Sequence, residues 1–363
     1  MSILRELLQK AVSLEASDVH IKPRQTPFFR AHARLVESGF DVLSEKDIEQ
    51  IVIDIMPAHL REPFRIGHEA DFSHHEEGVG RFRTNVFLAQ SAPTIAMRYV
   101  KSQIPTVEQL RLPIHLKELA RVERGIILLS GTTGSGKSTT LAAIIGEINR
   151  TERSRVITIE DPVEYFFDDD QSLITQREVG LDTLGFHEAL TRVMRQDPDV
   201  ILIGEMRDRE SIRTAMLAAE TGHLVLSTVH SANASIAVPR ILDMFPPDER
   251  EQMRMAIAEN FHAIICQRLM PDVYGGVVPA VEIMINTSTV RKLIERNQLD
   301  VLSAAIETGK EDGMQSFNQS IYQLIKAGTI TEAEGLRFAT NPESLRMNLR
   351  GIFLDEGKRI LAT

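Results

Sequence analysis

The sequence predicts an α/β protein: a parallel sheet at the centre, a smaller α+β domain before it and a helical segment after it. Three observations carry that prediction. Apolar, β-branched runs at residues 125–130, 156–159, 200–203 and 224–227 are separated by helical stretches, the pattern of a parallel sheet covered on both faces. The first of these runs leads into a glycine-rich loop and then a helix. The chain is 363 residues long, and at about 150 residues per domain it has room for two or three.

Taken in order, Ile3, Leu4, Leu7, Leu8 and Val12 recur at helical spacing, so the chain opens with an amphipathic helix. Short β-like runs follow at 19–21, 28–36, 82–88 and 94–100. One helical stretch, 45–56, interrupts them and is closed by Pro57. Strands with a helix laid over them make an α+β domain of about 100 residues. His74 and His75, among Glu76 and Glu77, read as solvated residues of a polar turn. Residues 101–113 contain Pro105 and Pro113 and little periodicity, which marks a linker. The parallel-sheet region comes next. From Pro246 onward the apolar period is helical, over 249–266, 287–307, 316–326 and 331–338.

Composition narrows the function. With 43% hydrophobic and 25% charged residues, the chain has ordinary globular content and is not largely disordered. Its net charge of −10 makes it a poor general binder of nucleic acid, which needs clustered Lys and Arg. Cys266 is the single cysteine, so no intramolecular disulfide framework is possible, and the absence of H-x₃₋₅-H spacing argues against a structural zinc. The first 14 residues carry Arg5, Glu6 and Lys10 among leucines, unlike a secretory signal. No run approaches 18 uncharged apolar residues, so no membrane-spanning helix is expected. These features together predict a cytoplasmic, multidomain protein.

Gly131, Thr132, Thr133, Gly134, Ser135, Gly136, Lys137 and Ser138 fit the G-x-x-x-x-G-K-[ST] phosphate loop, in the strand–loop–helix context that motif requires. Glycines let the backbone curl so that successive amides and the helix N-terminus face phosphate oxygens. Lys137 is placed to neutralise the β- and γ-phosphates of a nucleoside triphosphate, and the Ser138 hydroxyl to join an Mg²⁺ shell. Residues 200–203 run into Gly204-Glu205-Met206-Arg207-Asp208. A carboxylate just past a buried strand can polarise the attacking water and hold Mg²⁺ through a hydration water, so Glu205 is the candidate base. Residues 156–159 end in Glu160-Asp161-Pro162-Val163-Glu164, which puts Glu160 at the sheet edge where open α/β sheets bind ligands. His223 opens one strand and His230 closes it, so at least one imidazole is expected near the γ-phosphate. Arg81 and Arg83 share a face of one strand and Arg98 lies on the next. They read equally as a basic patch or as arginines delivered to a triphosphate.

In order, the blocks G-T-T-G-S-G-K-S-T, V-I-T-I-E-D-P-V-E-Y, Q-R-E-V-G-L-D-T, R-Q-D-P-D-V-I-L-I-G-E-M-R-D and A-E-T-G-H-L-V-L-S-T-V-H resemble the secretion-type hexameric ATPases. Within these, the chain is similar to the type IV pilus retraction motors of the PilT/PilU type, over nearly its whole length. The resemblance implies a PAS-like N-terminal domain (1–100), a linker (101–113), a RecA-like P-loop ATPase core (114–270) and a mostly helical C-terminal subdomain (271–363). It makes Gly131 to Thr139 the Walker A loop, Glu160 to Glu164 an aspartate box, Glu205 the Walker B glutamate, and His223 and His230 a histidine box. Arg83 and Arg98 match N-terminal-domain arginines that reach the phosphates, and Arg195 matches an arginine before the Walker B strand. The implied function is a homo-hexameric ATP-driven motor for pilus retraction and twitching motility. The implied location is the cytoplasmic face of the inner membrane, reached through a pilus platform protein and with a paralogous retraction ATPase as a further partner. Residues 317–346 look closer to the PilU branch, which leaves an accessory paralogue open beside a principal motor. A nucleic-acid translocase is disfavoured by the acidic charge, by the four tyrosines and by the lack of tryptophan for base stacking. A nucleotide-gated scaffold is disfavoured by intact Lys137 and Glu205.

Overall fold

The computed structural model describes residues 2–31, 34–100 and 103–352. The chain divides into two compact units, Met1–Gln103 with Glu164–Phe166, and Ile104–Val163 with Phe167–Thr363.

The first unit runs α1 (Ile3–Ser13), β1 (Asp18–Ile21), β2 (Phe28–Ala31), β3 (Arg34–Glu37), α2 (Glu45–Ile55), α3 (Arg61–Gly67), β4 (Glu69–Glu76), β5 (Gly80–Ala89) and β6 (Ala92–Val100). Its strands form one antiparallel sheet in the order β3-β2-β1-β6-β5-β4. Ser2 caps α1, and Ser44 with Asp47 closes a reciprocal capping box on α2, which fixes both helix starts. Leu4, Leu7 and Leu8 of α1 and Ile48 of α2 are buried with Phe29, Phe72, Phe82, Ile95 and Met97 of the sheet. Two expectations are corrected here. The run 28–36 is a hairpin, β2 paired with β3, rather than one strand; His32 and Ala33 within it lie outside the described residues. His74 and His75 sit on β4, not in a turn. Ala70 and Phe72 are buried at alternate positions, and that period of two was masked in the sequence by the charged residues between them.

The second unit contains α4 (Leu116–Leu119), β7 (Gly125–Ser130), α5 (Lys137–Thr151), β8 (Arg155–Glu160), β9 (Leu173–Glu178), α6 (Phe186–Val193), β10 (Val200–Ile203), α7 (Arg209–Glu220), β11 (Leu224–Val229), α8 (Ala234–Leu242), α9 (Arg250–Asn260), β12 (Phe261–Pro271) and β13 (Val277–Ile285). It then continues through α10 (Ser288–Glu295), α11 (Leu302–Thr308), α12 (Phe317–Lys326), α13 (Glu332–Phe338) and α14 (Pro342–Leu349). The sheet order is β13-β12-β7-β11-β10-β8-β9, parallel from β12 to β9, with β13 antiparallel at the edge. All residues of β7, β10 and β11 are buried, as strands covered on both faces must be.

The helical reading of 249–266 is corrected. The helix ends at Asn260, and Phe261 begins a strand that lies parallel to β7, directly beside the phosphate-loop strand. The apolar run Ala263-Ile264-Ile265-Cys266 is buried on both faces, and periodicity alone cannot tell such a run from a buried helix. The stretch 287–307 is likewise broken, with Asn297 in the left-handed region at φ 57° between α10 and α11. In the stretch read as a linker, Lys101 and Ser102 lie outside the described residues. Beyond them Val107 and Leu112 are buried in the core of the second unit, so this part is packed against it.

Candidate active site

The phosphate loop begins where β7 ends. Gly131 lies at φ +146°, and a Cβ there would come within 2.5 Å of the Gln267 carbonyl and the Ser135 hydroxyl. Gly136, at φ +87°, would place a Cβ 2.7 Å from the Gln267 amide nitrogen. Both positions therefore require glycine, for conformation and for space. Lys137 is buried in the first turn of α5, where its ammonium donates to the carbonyls of Gly131 (3.0 Å) and Thr132 (3.1 Å). Among the described residues the buried Ser135 Oγ has no hydrogen-bond partner, a polar atom in the loop that suits an oxygen-rich ligand.

One residue that anchors the loop was missed in the sequence. Gln267 of β12 donates from its amide to the Ser135 carbonyl (2.8 Å) and accepts from Thr140 Oγ1 (2.8 Å), so it clasps the loop to α5. Its signal was a polar residue at the end of a buried apolar run, readable only once that run is taken as a strand.

The parallel register collects the acids at the same edge. Ser130 pairs with Val229, and Ile203 pairs with both Ile159 and Ser227, so the residues after each strand end side by side. The Thr228 hydroxyl donates to the Gly204 carbonyl (2.8 Å) and the Gly204 amide to the Ile159 carbonyl (2.8 Å), which fixes the turn that carries Glu205. Glu205 Oε1 lies 3.0 Å from His230 Nε2, and its Oε2 accepts from Arg207 Nε at 2.8 Å. His230 Nδ1 is in turn 3.1 Å from the Gly131 carbonyl. Both ring nitrogens thus face oxygen acceptors and both donate only when the ring carries two protons. Glu160 accepts from Thr158 Oγ1 (2.6 Å) and from the Gln176 amide (3.3 Å) at the same sheet edge.

Two expected residues are not brought to this edge. His223 precedes β11, and its carbonyl accepts from Gly125 at the opposite end of β7. Seven residue steps of strand at about 3.3 Å each separate it from His230, about 23 Å. Its ring bonds locally, to the Ala218 carbonyl (2.9 Å) and Thr221 Oγ1 (3.1 Å). Arg195 follows α6 and precedes the start of β10, again at the amino edge of the sheet. In the first unit Arg83 and Arg98 are directly paired across β5 and β6, and both are exposed. Arg98 Nε donates to Asp18 Oδ1 at 2.9 Å. Burial would raise the Asp18 carboxyl, but the Ser17 hydroxyl and Arg98 outweigh it and hold the group below its ordinary value.

Among the described residues no group of three His, Cys, Asp or Glu side chains could hold a metal ion by itself. Burial pushes the Cys266 thiol well above its ordinary range, so it is inert packing.

Residues 1–337 match the family model of the type II/IV secretion system proteins. The chain is 38% identical to the type IV pilus retraction ATPase PilT of Pseudomonas aeruginosa over 94% of its own length and 99% of the relative's. It is also 38% identical to that organism's type IV pilus ATPase PilU, over 95% of this chain and 91% of the relative. The crystal structure of the pilus retraction motor PilT with bound ADP superposes with a TM-score of 0.88 at 38% identity, covering 95% of this chain and 99% of the other. By sequence and by fold, then, the chain belongs to the type II/IV secretion system protein family, in its PilT/PilU-type branch of pilus ATPases.

Proposed function

We propose that this chain is an ATP-hydrolysing motor that powers retraction of a type IV pilus, working as a hexamer on the cytoplasmic face of the inner membrane. The observation that carries the reading is the Glu205–His230–Gly131 chain of contacts, which ties a carboxylate and an imidazole directly to a complete phosphate loop. Likeness to PilT over nearly the whole chain supplies the kind of work done. No described helix is long and apolar enough to cross a membrane; in this reading the chain is held there by a platform protein. Residues 1–100 form the PAS-like domain, 114–270 the RecA-like core and 271–363 the C-terminal subdomain in this reading.

The loop amides and Lys137 would take the β- and γ-phosphates, with Thr132, Thr133, Gly134 and Thr139 completing the cradle. Mg²⁺, when bound, neutralises phosphate charge; Ser138 and, through water, Glu205 are hard oxygen donors that suit it. Glu205 accepts the proton of the attacking water, ADP and phosphate are formed, and His230 holds that proton with Glu205. Glu160 is the second carboxylate at the water's side of the site. Arg83 and Arg98 supply positive charge to the γ-phosphate. Arg195 and His223, on the far edge of the sheet, serve the site of another copy of the ring in this reading. The equal identity to PilU supports an accessory paralogue as the second reading, with a partner motor completing the machine.

Purified protein with ATP and Mg²⁺ should release phosphate and scatter light as a species about six times the 40.7 kDa protomer. A monomer at micromolar concentration contradicts the ring, and ATP binding without phosphate release would indicate a scaffold.

A further inference from the structure

Behind the site, two charged side chains on neighbouring strands each reach in two directions. Glu282 of β13 sits opposite Cys266 of β12 and is only 7% exposed. Its Oε1 accepts the Ala234 amide at 2.7 Å, and its carboxylate also accepts the Phe317 amide. Ala234 and Phe317 are the first residues of α8 and α12, where amides lack partners within the helix and negative charge is favoured. Arg268 of β12 repeats the pattern. It donates to the Ala232 carbonyl (3.3 Å) and to the Phe338 carbonyl at the end of α13 (2.7 Å), with its guanidinium 3.8 Å from the Phe317 ring centre. Each side chain therefore makes one bond to residues 232–234 and another to the C-terminal helices.

Only Ser231 separates His230 from residues 232–234, and it is tightly held. The Ser231 amide donates to Ser130 Oγ (2.8 Å), the two hydroxyls lie 2.7 Å apart, and Ser231 Oγ donates to the Asn233 carbonyl (3.0 Å). A displacement at Ala234 thus has little slack before it reaches His230, whose ring contacts Glu205 and the phosphate loop.

We propose that Glu282 and Arg268 are positioning residues: they clamp the His230 segment to α12 and α13, so that the Glu205–His230 contact and the C-terminal helices are set together. The inference rests on the reading of Glu205 and His230 given above. Through this clamp a change at the γ-phosphate passes to the C-terminal helices, and a load on those helices passes back to the site.

A double-mutant cycle of Glu282→Gln with His230→Ala, on the full chain, tests it. The amide has one oxygen where the carboxylate has two, and carries no charge toward the two helix starts. Glu282→Gln should lower kcat about tenfold while the Kd for ADP stays within about twofold. In the His230→Ala background it should have no further effect, because both changes act through one contact. Wild-type kcat in Glu282→Gln, or losses that multiply in the double variant, overturns the clamp and leaves the reading of the site standing. Wild-type kcat in His230→Ala overturns that reading and the clamp with it. If circular dichroism finds Glu282→Gln unfolded, Arg268→Gln takes its place in the same cycle and is read by the same outcomes.

Discussion

Glu205→Gln is expected to bind ATP and ADP as the wild type does and to hydrolyse ATP about 10²–10⁴-fold more slowly. The substitution keeps the shape of the side chain and an oxygen toward His230 but removes the carboxylate proposed to take the water's proton. Glu205 meets the loop through His230, and the anchors that shape the loop lie elsewhere. Lys137 is held by the Gly131 and Thr132 carbonyls, and the loop itself by Gln267. Nucleotide affinity and steady-state phosphate release, measured on the same preparation, separate the two effects. Near wild-type turnover would move the base to Glu160, the other carboxylate at that sheet edge.

Alanine at Arg83 or Arg98 is expected to slow turnover about 10³-fold or more, the range found for arginines that meet a γ-phosphate in the transition state. ATP affinity should change far less. The two guanidinium groups face the same side of the β5–β6 pair and are exposed, so they are open to a nucleotide brought to that face. Arg98 has a second duty toward Asp18, whose carboxylate is buried, and Arg98→Ala leaves that charge short of a partner. Asp18→Asn is the control: it relieves the pairing without touching either arginine. Turnover that falls in Arg98→Ala and in Asp18→Asn alike, with Arg83→Ala unaffected, would make the arginines a structural patch.

Much of the site was legible because its chemistry demands particular residues at fixed spacing. The loop glycines are required by backbone conformation, and in the proposed reading Lys137 and Ser138 by phosphate and metal. Glu205 and Glu160 stand out as acids at the ends of apolar strands. Less legible was everything that β12 supplies. Its apolar run has no decisive period, and its neighbour in the sheet, β7, lies more than a hundred positions earlier. Gln267, Arg268 and Glu282 therefore carried no local signal of the partners they hold. His223 illustrates a different limit: a strand has two ends, and the residue that opens it is at the wrong edge for the residue that closes it. His74 and His75 were lost to a polar-looking strand whose buried alternation is only two residues deep.

The central claim, that hydrolysis at this site drives pilus retraction, is tested most directly in cells that lack the chain and are supplied with either the wild-type or the Glu205→Gln form. Surface fibres and twitching are scored together. The account predicts that Glu205→Gln cells keep their pili on the surface and do not twitch, while the wild-type form restores movement. Glu205→Gln cells that lose their pili, or that twitch like the wild type, would contradict it.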